Sequence, residues 1–170
     1  GVLLAPREGV QFYANYSRSA EFPGFIELAQ ISTFVNLAPQ RAWTAEVGTR
    51  GHLGIAEWDV SLYRADLNGE LLQYAVNSTI PASTFNAGRT RHRGVELGVQ
   101  WQVTSWLSAT SSWTEADYRF VDYRVPRGAV TDTLDGKHEA GVPGRVVRVG
   151  MDARLGAATF SLDHTWSDAQ

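Results

Sequence analysis

Apolar and polar residues alternate along most of this chain, and the alternation is broken only at turns. From residue 94 to 103 the sequence reads Gly-Val-Glu-Leu-Gly-Val-Gln-Trp-Gln-Val. Val95, Leu97, Val99, Trp101 and Val103 share one face, and Glu96, Gly98, Gln100 and Gln102 the other. A β-strand turns successive side chains to opposite faces, so one face here seeks oil and the other water. The same period recurs over about 10–18, 42–50, 56–67, 106–118, 147–155 and 158–166. Valine, threonine, glycine and aromatics dominate these segments, and a helical period fits them poorly. The pattern predicts about seven strands. Short turns at 51–54, 104–105 and 156–157 alternate with long connections at 19–40, 68–90 and 119–144.

Two all-β architectures satisfy such a pattern: a soluble antiparallel sandwich, and an up-and-down transmembrane β-barrel segment. Three features favour the barrel. Strict alternation of short and long connections suits a barrel with short turns at one rim and long loops at the other. The polar face carries Glu46, Asp59, Glu96, Arg148, Asp152 and Asp163 in mid-strand, which a wet or plugged lumen accommodates. On the apolar face, aromatics gather near strand ends. Phe12, Trp58, Trp101 and Phe160 lie toward the short turns, and Tyr16, Trp43, Trp113 and Trp166 toward the long connections. Amphipathic rings at two levels are expected where a barrel meets lipid headgroups, and a sandwich core gives no reason for them. Strands of nine to twelve residues also match a tilted crossing of an apolar band about 25 Å tall.

Composition adjusts this picture only slightly. The chain has 170 residues, a formal net charge of −3 and no cysteine, so disulfides and thiolate metal sites are excluded. There is no basic run of the kind that binds nucleic acid. Mean hydropathy is −0.22, and no stretch approaches the roughly 20 apolar residues of a membrane helix. Alternating strands average out over any long window, so that absence does not argue against a membrane barrel. Both ends read as cut: Val2-Leu3-Leu4-Ala5 resembles the tail of a strand, and the last strand runs off at Gln170. The expectation is a segment of a longer protein.

Several stretches, in order, resemble TonB-dependent outer-membrane receptors. They are Gln11-Phe12-Tyr13-Ala14-Asn15-Tyr16-Ser17-Arg18-Ser19, then Leu37-Ala38-Pro39-Gln40 with Glu46-Val47-Gly48-Thr49-Arg50-Gly51, and Trp58-Asp59-Val60-Ser61-Leu62-Tyr63-Arg64-Ala65 with Glu70-Leu71-Leu72. Asn86-Ala87-Gly88-Arg89-Thr90, His92, Gly94-Val95-Glu96-Leu97-Gly98 and Gly141-Val142-Pro143 continue the series. The segment departs from the family at Ala20-Glu21-Phe22-Pro23-Gly24 and at Glu139-Ala140. The resemblance implies a late portion of a barrel of about twenty-two strands, in the outer membrane of a Gram-negative bacterium. It implies active import of a scarce nutrient such as a ferric siderophore, with cobalamin, haem, copper or a glycan as other ligands. It also implies coupling to the TonB complex through a plug domain that this segment lacks.

Nothing in the sequence reads as catalysis: no Gly-x-Ser-x-Gly elbow or compact nucleophile–base spacing occurs. No cofactor and no metal site are expected. His52, His92, His138 and His164 are scattered, and Glu21, Asp117, Asp122, Asp132 and Asp135 read as solvated loop acids. Asn77-Ser78-Thr79 fits a glycosylation sequon, without meaning in a Gram-negative cell. Candidate ligand contacts are the loop aromatics Phe22, Phe25, Phe34, Tyr74, Phe85 and Tyr123, and the basic residues Arg89 and Arg91. The alternative for the rings is packing of the loops onto one another. Arg89, Arg91 and Arg93 form an alternating row. Facing the lumen mouth, they would attract an anionic chelate at ~1–3 kcal/mol per contact. Their parity is that of Val95 and Leu97, which points outward, to lipopolysaccharide, unless a bulge near Gly94 intervenes. A passive porin shares strands, turns and girdles with the importer, and a soluble sandwich binding module is the reading from another class.

Overall fold

The computed structural model describes residues 1–29, 36–74, 83–127 and 130–168. Its main body is one antiparallel sheet of eight strands: β1 (Val2–Arg7), β2 (Val10–Glu21), β3 (Gln40–Leu53), β4 (Ala56–Asn68), β7 (Arg89–Gln102), β8 (Leu107–Asp122), β11 (Arg145–Leu155) and β12 (Ala158–Ser167). Each strand pairs with the next of these along the chain, so the topology is up-and-down. The eighth strand is β1, at the N-terminal edge of the sheet. Two small hairpins sit in the long connections: β5 (Leu71–Tyr74) with β6 (Ser83–Asn86), and β9 (Arg124–Arg127) with β10 (Val130–Thr133). One helical turn, α1 (Phe25–Ala29), follows β2. The hairpins were absent from the sequence expectation because four-residue strands are too short for alternation to register.

The connections sort by length to opposite rims. Two-residue links join β1 to β2, β3 to β4 and β11 to β12, and a four-residue link joins β7 to β8. Gly9, Gly54 and Gly156 adopt positive φ in the three tightest turns (76°, 60° and 62°), a conformation costly for any residue with a Cβ. All three long connections emerge at the other rim.

Strand register decides what faces what. Phe12 lies opposite Thr49, Thr49 opposite Val60, Val60 opposite Leu97, Leu97 opposite Trp113, Trp113 opposite Val147, and Val147 opposite Trp166. Directly opposed residues share a face, so the apolar set forms one unbroken surface across seven strands. No second layer covers it among the described residues. Leu62 is 51% and Leu162 70% exposed, and the few buried apolar residues lie at the rims and in the loops. In β3 the outward Trp43, Ala45 and Val47 are exposed while the inward Thr44, Glu46 and Gly48 are half-buried. That inverts a soluble sheet. It is the burial expected of a curved wall whose convex face meets lipid.

The ring of aromatics nearest the short turns drifts steadily through the register. Relative to Phe12 on β2, Trp58 on β4 sits two residues nearer the short turns, and Phe160 on β12, six strands away, sits six residues nearer. A drift of one residue per strand, at about 3.3 Å per residue and about 4.8 Å between strands, keeps this ring level only if the strands tilt by about 35°. Transmembrane barrels tilt by about that amount.

Inner-face glycines let tyrosine rings lie flat on the wall. A Cβ on Gly48 would collide with the Tyr13 ring, and one on Gly94 would meet the Tyr63 hydroxyl at 2.5 Å.

Candidate functional site

The inner wall carries the polar residues expected of a lumen. Glu46, Asp59, Glu96, Arg148 and Asp152 all fall on the face opposite Leu97, beside small or polar partners: Asp59 opposite Gly98, Glu96 opposite Thr114, Arg148 opposite Ser112 and Asp152 opposite Ser108. Glu46 and Asp152 are already engaged within the wall, as are the neighbouring Gln11 and Arg50. The Tyr13 hydroxyl donates to Glu46 at 3.0 Å, Arg50 Nε to Gln11 at 2.9 Å, and Ser161 to Asp152 at 2.5 Å. A shallow groove of about 740 Å³ runs over this region between Gln11, Asp59, Gln100 and Arg148.

Toward the long-loop rim, strands β7 and β8 continue past the apolar band as a hydrogen-bonded ribbon. The ladder needs only backbone groups, whereas the sequence pattern ends where apolar residues end. Along this extension Thr90, His92, Tyr118 and Phe120 point inward with Leu67 of β4. The His92 ring stacks on Tyr118 at 3.9 Å and 3°, and the Tyr118 and Tyr63 hydroxyls are 3.2 Å apart. His92 Nε2 lies 3.3 Å from Glu70 and 3.0 Å from Glu139. Burial alone would raise the Glu70 carboxyl, but hydrogen bonds from His92 and Thr90 outweigh it and hold the group below the usual carboxylate range.

Above this group the two loop hairpins meet over a small apolar centre. Ala87, Phe120 and Tyr123 are buried together, with Leu72, Val125 and Leu134 packed around them. Asp135 accepts from the Tyr123 backbone N–H at 2.9 Å, and Leu134 N–H donates to the Tyr123 carbonyl at 2.9 Å. The second and third long connections are therefore one packed unit at their bases.

The expected ligand contacts divide accordingly. Phe22 (74% exposed) and Phe25 (86%) stand free of the wall around α1. Phe85 is half-buried on β6. Tyr123 does not stand with them: its ring is buried against Phe120 at 5.2 Å, part of the loop core rather than a surface offered to a ligand. Phe34 and the side chain of Tyr74 lie outside the described residues. Arg89 reaches Asp122 at 3.7 Å and stands over half exposed, where the register slips between Arg89 and Thr90. From Thr90 onward β7 is unbroken, so Arg91 and Arg93 face outward, as their parity with Val95 requires.

That outward face is a charged belt above the band. Arg64 and Arg91 share Asp66, Arg93 and Arg119 share Asp117, and Arg145 approaches Glu115 at 3.7 Å. Five guanidiniums thus meet three carboxylates, around a groove of about 840 Å³ whose apolar floor includes Val47, Leu62 and Val95. On the apolar face below, Arg18 lies 4.8 Å over the Trp43 ring and Arg145 5.7 Å from that of Trp113.

Glu70 and Glu139 escaped the sequence reading as site residues. Both lie in connections where no periodicity assigns a direction. The inward parity of His92, shared with Glu96, was the one available signal.

A curved single-layer sheet, polar inside and apolar outside with two aromatic levels, defines a wall segment of an outer-membrane type β-barrel. Comparison with known proteins gives the family. The model for TonB dependent receptor-like β-barrels matches residues 1–169, and the chain belongs to this family. Among solved structures it is similar to the copper transporter OprC, with 17% identity over 93% of this chain and 23% of that one, at a TM-score of 0.72. The FrpB iron transporter from Neisseria meningitidis (F5-1 variant) shares 19% identity over 96% of this chain and 25% of its own, at a TM-score of 0.68. The ferric-catecholate import receptor Fiu from K12 E. coli shares 18% over 96% and 23%, at 0.66. The chain spans about a quarter of the length of these structures, and at such identities the likeness is one of fold.

Proposed function

We propose that this chain is part of the wall of an active importer in the outer membrane of a Gram-negative bacterium. It would take up a scarce nutrient, most simply a metal chelate such as a ferric siderophore, with energy delivered by the TonB complex through a plug domain. The observation that carries this reading is the inner face. Its acids and Arg148 form a continuous registered surface, able to hydrogen-bond a plug filling the lumen, and it belongs to a family whose structural neighbours are described as copper and iron transporters. The exposed rings of Phe22 and Phe25, with Arg89, offer a first contact for an aromatic or anionic chelate outside the rim.

The outward arginine belt fits a second partner of the same setting, lipopolysaccharide. Its phosphates would meet Arg64, Arg93 and Arg145, and its acyl chains the apolar floor below.

Uptake of labelled ferric siderophores by metal-starved cells tests the import reading. Uptake should fall when the gene for the full-length protein is deleted, and equally when TonB is removed. A passive porin would instead pass small solutes without TonB and give steady open-channel conductance in planar bilayers. That result would replace the importer.

A further inference from the structure

We propose that Glu70, His92 and Glu139 form a binding site for a first-row divalent metal ion of the zinc type, which fastens two extracellular loops together at the barrel mouth. The three residues come from separate stretches: Glu70 between β4 and β5, His92 on β7, and Glu139 between β10 and β11. One donor atom from each falls within 4.8 Å of the others. The site is independent of the import reading, since it asks only that the loops fold as described.

Charge is the first argument. Among the described residues, two buried carboxylates are matched by one imidazole, and the side chains are 11%, 7% and 15% exposed for Glu70, Glu139 and His92. With both acids ionised the group would carry a net negative charge where little water reaches, a charge that a proton shared between Glu70 and Glu139 or a bound cation can offset. A divalent cation removes that imbalance.

Geometry is the second. Zinc ligands at about 2.0–2.1 Å in a tetrahedron stand about 3.3 Å from one another. His92 Nε2 already lies 3.3 Å and 3.0 Å from the two carboxylate oxygens. Two of the three ligand–ligand edges thus already match a zinc site, and the third, between the Glu70 and Glu139 oxygens, lies within 4.8 Å and closes as the carboxylates turn onto the ion. One imidazole and two carboxylates suit zinc, manganese or iron(II), whereas calcium asks for six to eight oxygens.

Support from neighbouring groups is the third. The Thr90 hydroxyl donates to Oε2 of Glu70 at 2.5 Å, which leaves Oε1 turned to His92. Tyr118 fixes the plane of the His92 ring by stacking. The Glu139 backbone N–H donates to the Tyr118 carbonyl at 3.0 Å, beside the bridge between Arg119 and His138. The Glu70 carboxylate and the His92 ring are thus oriented by groups that do not themselves touch the ion, as built metal sites require, and the main chain of Glu139 is held in place beside them.

The test uses the full-length receptor in detergent, stripped with a chelator and titrated with Zn²⁺ against a competing indicator. One Zn²⁺ per chain should bind, and His92→Ala and Glu139→Gln should each weaken it about 100-fold or more. Thr90→Val should weaken it about 10-fold. Heat-modifiable migration on gels checks that each variant barrel is folded. Co²⁺ added to the wild-type protein should give visible absorption bands of a low-coordinate nitrogen–oxygen site that Zn²⁺ abolishes. Folded variants that bind Zn²⁺ as tightly as wild type would overturn the proposal. So would a wild-type protein without Zn²⁺-displaceable Co²⁺ bands, whatever the variants do.

Discussion

Arginine in place of Leu97 confronts the facing of the wall directly. Leu97 points outward from β7 between Val60 and Trp113. It sits four residues from Trp101 toward the short turns and four from Arg93 toward the loops, midway through the apolar band. Four residues are about 13 Å of strand, farther than a guanidinium can snorkel without dragging headgroups inward. A lipid-facing arginine at midplane costs roughly 2–4 kcal/mol. Thr114→Arg is the depth-matched control: Thr114 faces inward, directly opposite Glu96, so the new charge gains a partner and water. Its effect should stay within about 1 kcal/mol. Gln100→Arg, inward and opposite Glu57, should be similarly mild. Guanidinium chloride unfolding of the full-length protein in phospholipid vesicles, followed by tryptophan fluorescence, measures all three. Equal penalties for Leu97→Arg and Thr114→Arg, or the larger one at Thr114, would refute the facing.

Other outcomes follow from the same structure. Gly94→Ala should cost about 1–3 kcal/mol, because the new methyl meets Tyr63 and the Glu115 carbonyl at 2.5 Å. Gly98→Ala, whose nearest neighbour would be the Asp59 carbonyl at 4.0 Å, should be nearly silent in the same unfolding assay. Removing Arg93 and Arg145 together should lower lipopolysaccharide retained through purification, and the residual binding should depend less on salt, since fewer phosphate contacts remain. Phe120→Ala empties the centre of the loop unit, so limited proteolysis between residues 123 and 144 should accelerate while the gel shift of the folded barrel persists.

Much of this architecture was legible in the chain itself. Period-two alternation is a local property: each residue's face is set by its neighbours' parity, so Leu97 and Trp113 could be placed on one surface without knowing that they touch. Short and long connections likewise announced the two rims, and Arg91 and Arg93 followed the parity of Val95 to the outer face, while the register slip at Arg89 was not readable from the chain. Strand ends were less legible, because the ladder carries β7 and β8 beyond the last apolar residue, and β5, β6, β9 and β10 are too short to show a period. Tertiary structure alone decided the rest. His92 and Glu139 are 47 positions apart, and Tyr123 finds its place only when two hairpins fold over the rim. Residues in aperiodic connections carry no directional code, so their meeting is settled by how the loops close. The wall was written in alternation, and the mouth was made by packing.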